Sequence, residues 1–143
     1  MPTRLPRPTD AELQVLSVLW DHGPATVRQT LERMPDGKTR SYTTILTIMQ
    51  LMQKKGLLKR RDQGRAHVYR AAAGRPRIMR PMLRDLVRKA FGGSPTHLVQ
   101  QLLDDNQISS EHLAEIRTLL DELKTNDASA TQRDAKKREK KDD

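Results

Sequence analysis

Thr43, Thr47, Gln50 and Lys54 recur at i, i+4, i+7 and i+11, a spacing that places side chains along one face of an α-helix. Together they supply short hydroxyls, an amide and a terminal cation. Such groups match the hydrogen-bonding edges of nucleic-acid bases and the phosphates beside them, and they lack the bulk that would hold a helix backbone out of a groove. The competing explanation is an ordinary solvated helix face. That face normally carries Glu, Lys and Arg, whereas Thr43, Thr44 and Thr47 fill the first two turns with a residue of poorer helix propensity, so base reading is the better account.

Other chemistry is sparse. His22, His67, His97 and His112 fall on different elements. His97 and His112 lie near Asp104, Asp105 and Glu111, but acids on a solvated helix-loop-helix are commoner than a metal site built this way. The chain has no cysteine, which excludes disulfides, thiolate metal sites and cysteine nucleophiles and fits a cytoplasmic protein. No enzyme activity, cofactor or metal is expected.

The face that carries the threonines needs a partner face to hold it. With Ile45 at zero and 100° per residue, Ile48, Met49 and Met52 fall within about 60° of it, so a helix from about Tyr42 to Lys55 has an apolar side opposite its Thr and Gln side. Gly56 follows as a left-handed cap. Leu57–Arg61 and Ala66–Arg70 then read as two short strands joined by residues 62–65, a basic hairpin with Arg65 in its turn. Upstream, Thr9-Asp10-Ala11-Glu12 is a capping box that opens a first helix with Leu13, Leu16, Leu19 and Trp20 as its stripe, ended by His22-Gly23-Pro24. A second box, Thr26 to Gln29, opens a short helix carrying Val27, Leu31 and Met34, and the connector Lys38-Thr39-Arg40-Ser41 follows Pro35-Asp36-Gly37. Three helices and a hairpin in this order make a winged helix-turn-helix module, with a connector of about seven residues where a strict helix-turn-helix has a shorter turn.

Charge agrees with that placement. The net charge of +9 is uneven: residues 1–70 hold 13 Lys/Arg against 6 Asp/Glu, residues 71–92 hold 6 against 1, and residues 93–124 hold 2 against 6. The positive field therefore belongs to the first two thirds, where it attracts a polyanion. With 143 residues and only Trp20, Tyr42, Tyr69 and Phe91 as aromatics, the chain suits thin helical layers and no deep catalytic cleft. No run approaches the roughly 20 apolar residues of a membrane span, and the first ten residues show no export signal, so no membrane insertion is expected.

Beyond Gly74 the pattern is helical. Pro81 sits inside Pro76–Phe91 and must start or kink that helix, whose apolar positions include Met82, Leu83, Leu86, Val87 and Phe91. Ser94-Pro95 opens a helix with Leu98, Val99, Leu102 and Leu103, and Ser109 caps a last one with Leu113, Ile116, Leu119, Leu120 and Leu123. Three short helices cannot bury these stripes alone, so they pack on the winged domain or, more economically, on a second copy. The expected architecture is mainly α with a small β-hairpin: a winged-helix domain over 1–73, a helical dimerisation domain over 74–124, and a charged, disordered tail over 125–143.

The sequence resembles the penicillinase and methicillin-resistance repressors of the BlaI/MecI type. The likeness is carried by Leu5-Pro6, Thr9-Asp10-Ala11-Glu12-Leu13, Leu19-Trp20, Tyr42-Thr43-Thr44-Ile45 with Thr47, Lys55-Gly56-Leu57, Gly64-Arg65 with Val68-Tyr69, Phe91-Gly92-Gly93-Ser94-Pro95 and the spacing to Ile108-Ser109. The resemblance implies a DNA-binding repressor acting as a homodimer on an inverted-repeat operator, with repression commonly relieved through proteolysis triggered by a membrane metalloprotease sensor. A cleavage point would then fall around Gln100–Leu103. Leu51 stands where such proteins often carry arginine, and the C-terminal cysteines of copper-responsive relatives are absent. On this reading Thr43, Thr44, Thr47 and Gln50 meet base edges, while Lys38, Arg40, Ser41, Tyr42, Lys54 and Arg65 hold phosphates of double-stranded DNA. A protein-interaction module on a winged scaffold, an activator and an RNA binder are the rival readings.

Overall fold

The computed structural model describes residues 5–37, 39–106 and 108–141, with side chains as far as Asp127. The elements run α1 (Asp10–His22), α2 (Val27–Arg33), α3 (Tyr42–Lys55), β1 (Leu58–Gln63), β2 (Ala66–Ala71), α4 (Arg75–Ala90), α5 (Pro95–Asp104) and α6 (Ser110–Lys141). They fall into two compact units, Met1–Lys89 and Ala90–Asp143.

The first unit is built around α1. Thr9 caps it, and the reciprocal bonds of the box are both made: the Glu12 amide donates to Thr9 Oγ1 at 3.3 Å, and the Thr9 amide donates to Glu12 Oε1 at 2.9 Å. Because α1 packs against α2, α3 and β2, its buried set is wider than a single stripe and takes in Val15, Leu16, Val18 and Leu19. Leu13 is only half-buried. Ile45, Met49 and Met52 of α3, with Leu57, Leu58 and Tyr69 from the hairpin base, complete the core, and Ile78 closes it from α4. A fully buried side chain of this kind contributes about 1.5–3 kcal/mol by leaving water.

Trp20 locks the end of α1 onto the chain leaving the hairpin. Its Nε1 donates to the Ala73 carbonyl at 3.0 Å, and Arg75, paired with Asp21 at 2.8 Å, lies over its ring. The hairpin is antiparallel, with Leu58 opposite Ala71 and Gln63 opposite Ala66. Ala25 adds a one-residue bridge to Tyr69, each amide bonding the other's carbonyl. The ladder continues through Asp62 and Gln63, so the turn is the two residues Gly64-Arg65 and not the four read from sequence; Gly64 takes its first position at φ 62°, where glycine is favoured.

Two helix expectations change. Of the two expectations for Pro81, to start or to kink the helix, the first does not hold: α4 begins at Arg75 and continues through the proline. Pro81 removes one i→i−4 donor, and Arg77, whose carbonyl loses it, is exposed and open to water. The last helix does not stop near Lys124 before a disordered tail: α6 runs to Lys141, through a segment with no Gly or Pro and with Ala, Gln, Lys, Arg and Glu, all strong helix formers. In the second unit Ser94 caps α5 by accepting from the His97 amide, and Ser109 accepts from the His112 amide at the start of α6.

Candidate nucleic-acid interface

The position of α3 is fixed from both ends. At its start, Ser41 is the N-cap: Oγ accepts from the Thr44 amide at 3.1 Å and shares a hydrogen bond with the Thr44 hydroxyl at 2.8 Å. At its end, Gly56 closes the helix in the left-handed conformation (φ 88°, ψ 9°), and Lys55 Nζ donates to Glu12 Oε2 at 3.0 Å. Glu12 is buried, and burial alone pushes its carboxyl up. The Thr9 amide and the Lys55 ammonium outweigh this and hold it below the ordinary glutamate range. One carboxylate thus caps α1 and ties down the last turn of α3.

With its Ile and Met side buried, α3 turns Thr43, Thr44, Thr47, Gln50 and Lys54 outward, all of them exposed. Thr47 Oγ1 donates back to the Thr43 carbonyl at 2.9 Å, so its free valences outward are lone pairs and a methyl group. Tyr42, 40% exposed, lies under the Arg28 guanidinium, whose carbon is 5.1 Å from the ring centroid. Beside the helix, Thr47, Gln50, Leu51, Gln53, Lys54 and Arg60 line an open groove of about 610 Å³ between α3 and β1. The wing is exposed along nearly its whole first strand, and Lys59, Arg60, Arg61, Arg65 and Arg70 face solvent.

Arg40 has a different setting from the one the sequence suggested. Its Nε pairs with Asp36 at 2.9 Å and its Nη2 donates to Gln14 at 2.9 Å, so it clamps the connector before α3 onto α1. Ser41 acts within the helix start. Lys38 lies outside the described residues. Arg28 and Arg60 were missed by sequence reasoning: the first joins Tyr42 across α2 and α3, and the second reaches the groove from the wing, with Nε 3.4 Å from Asp62. Among the described residues no three His, Asp or Glu side chains gather to hold a metal, and no helix is long and apolar enough to cross a membrane.

Fold and site together define a winged helix-turn-helix protein whose third helix and wing present exposed polar and cationic side chains beside a shared groove. The chain belongs to the penicillinase repressor family, whose profile matches residues 8–122. It is 26% identical over 121 residues to the penicillinase repressor of Bacillus licheniformis, covering 85% of this chain and 94% of that protein. It is 33% identical over 88 residues to the transcriptional regulator BlaI of Mycobacterium tuberculosis, covering 61% of this chain and 64% of that one. The solution structure of the DNA-binding domain of the repressor BlaI aligns with 52% of this chain and 90% of its own, at 30% identity and a TM-score of 0.46. The family is one of transcriptional repressors and not of enzymes.

Proposed function

We propose that the chain is a sequence-specific DNA-binding repressor that acts in the cytoplasm as a homodimer on an inverted-repeat operator. The observation that carries this reading is the outward Thr43, Thr44, Thr47 and Gln50 face of α3, held rigidly by its buried side and flanked by cations of the wing. In this reading the four side chains meet base edges in the major groove, while Lys54, Arg65 and Tyr42 hold the phosphates on either side. Lys38 belongs to the same phosphate set by its place in the connector. Ser41 and Arg40 contribute by setting the start of α3. Threonine methyls suit thymine and the Gln50 amide suits adenine, so the half-site contains T and A.

Dimerisation is supported by apolar side chains left in water: Leu83 and Leu86 on α4, Leu102 on α5, and Leu120 and Leu123 on α6 are all exposed. Val87, Phe91, Leu98, Leu113 and Ile116 are half-buried and extend the same faces; Met82 already packs against the core of its own unit. A second copy would cover these residues and set two α3 helices about 34 Å apart, in successive major grooves. Relief of repression by a membrane metalloprotease sensor, with cleavage near Gln100–Leu103, follows from the family and is read by whether the chain is cut when such a sensor is induced.

The deciding experiment is a footprint on a duplex selected from random sequence, repeated with Thr43→Ala combined with Thr47→Ala. Loss of the specific footprint with retention of weak, salt-sensitive binding is expected. If about eight phosphates are neutralised, log affinity falls against log salt with a slope near −7. A chain that selects no duplex sequence, or a double variant that keeps the full footprint, overturns the reading.

A further inference from the structure

Leu51 is 48% exposed on the flank of a helix face that is otherwise polar. Single exposed leucines are common and need no explanation, so exposure alone decides nothing. Its neighbours are more informative: with Thr47, Gln50, Gln53, Lys54 and Arg60 it lines the groove between α3 and β1. On the helix it follows Thr44 and Thr47 at i+7 and i+4, which puts the three within about 60° of one another. Thr44 shares its hydroxyl bond with Ser41 and Thr47 donates its own to the Thr43 carbonyl, so this strip has few free donors and offers methyl surface ending in an isobutyl group. Thr43, Gln50 and Lys54, with the amide and the ammonium, lie on the other side of Thr47, which is within about 60° of all three as well. Thr47 therefore stands between a side of this face that carries the amide and ammonium and a side where Thr44 and Leu51 offer more apolar surface.

In the major groove of duplex DNA the apolar feature of the base edges is the C5-methyl of thymine. We propose that Leu51 is a specificity-determining residue that packs on a thymine methyl in the half-site, with Arg60 facing it across the groove and engaging the adjoining phosphate. This inference rests on the operator reading given above and adds to it the class of base that one named side chain selects. Lys54 and Arg60 supply the charge complementarity that draws the duplex into the groove, and Leu51 supplies a contact that cytosine, lacking the methyl, does not return.

The test uses the full chain and its selected operator, with each thymine of the half-site replaced in turn by deoxyuridine, which removes the methyl and keeps the hydrogen-bonding edge. The wild-type chain is expected to lose affinity about four-fold at one particular thymine, the effect of one buried methyl group. Leu51→Ala is expected to weaken binding to the unmodified operator and to become insensitive to deoxyuridine at that position alone, whereas Leu51→Met keeps the sensitivity. Leu51→Ala leaves the thermal unfolding of the free chain unchanged because the side chain is half in water. If Leu51→Ala binds the operator with the same deoxyuridine profile as wild type, the inference fails while operator binding stands. If Leu51→Ala changes only the association of two copies, Leu51 is a subunit contact and the inference fails. A wild-type chain with no preferred duplex sequence removes both readings.

Discussion

The two units of this chain are built from similar residues and finish differently. In the first, fifteen apolar side chains among the described residues are buried around α1, α3 and the hairpin base. In the second, no residue from Ala90 to Asp127 is buried among those described, although α5 and α6 carry leucines at regular helical spacing. The difference is one of connectivity: α1 meets three other elements, so its apolar residues find partners on more than one side, whereas α5 and α6 present stripes with water over them. A unit that completes its own core can hold a reading face still. A unit that leaves its stripes open gains stability from whatever covers them, which couples its folding to association.

The sharpest way to break this contrast is in the first core. Leu16→Ala removes a fully buried side chain among rigid neighbours and is expected to cost about 2–5 kcal/mol. Trp20 is the sole tryptophan and belongs to this unit, so its fluorescence follows the loss in urea unfolding without interference from the second. Leu120→Ala, from a side chain 53% exposed, should leave the same signal unmoved.

Next in size is the Glu12 clamp. Glu12→Gln keeps the shape but weakens bonds to Thr9 and to the Lys55 ammonium, an expected loss of about 1–3 kcal/mol. Burial raises the Glu12 carboxyl, and the Thr9 amide and Lys55 lower it further than burial raises it, so it ionises more readily in the folded chain than in the unfolded one. Its contribution is therefore complete above the unfolded glutamate value near 4.3 and disappears as pH falls through the lower folded value. Wild type should lose more stability than Glu12→Gln between pH 6 and pH 3; parallel curves would place the stabilisation elsewhere.

These two tests also mark what the sequence could and could not tell. Ile45, Met49 and Met52 against Thr43, Thr47 and Gln50 were legible because a helix face repeats with a known period, and so were the caps at Thr9, Thr26, Ser94 and Ser109, where donor and acceptor are three residues apart. The Glu12 to Lys55 pair spans 43 residues and has no period to betray it. Arg40 shows the same limit: a basic residue before a reading helix suggests a phosphate contact, and only the packed connector reveals Asp36 and Gln14 within its reach. Leu51 and Arg60 come together only because β1 folds back beside α3, so their shared groove belongs to neither element alone. Val15 and Val18 were overlooked because a stripe describes a helix with one neighbour, and α1 has three.

In the second unit the expected effect is a dependence on concentration. If two copies cover the open stripes, its stability rises by about 1.4 kcal/mol for each tenfold increase in chain concentration. Far-UV circular dichroism reports the helices of both units, so besides the transition followed by Trp20 it should show one that moves with concentration more than the fluorescence transition does, since of the first unit the dimer reading uses only α4. A second transition independent of concentration would mean that this unit stabilises itself as a single copy, against the homodimer.

The finest comparison uses one chemistry in both units. Ser41 and Ser109 each accept an amide bond from three residues on, at 3.1 and 3.2 Å, and replacing either by alanine costs about 1 kcal/mol. In the first unit that cost falls on an already stable core, so Ser41→Ala shifts the urea midpoint slightly and leaves self-association alone. In the second unit, if folding and pairing are one equilibrium, both copies lose the same kilocalorie, and Ser109→Ala should weaken association about thirty-fold, measurable by sedimentation across a dilution series. Equal effects of the two substitutions on association would show that the units share one cooperative transition, because a cap on α3 could alter pairing of two copies only if the first unit's stability were itself coupled to it.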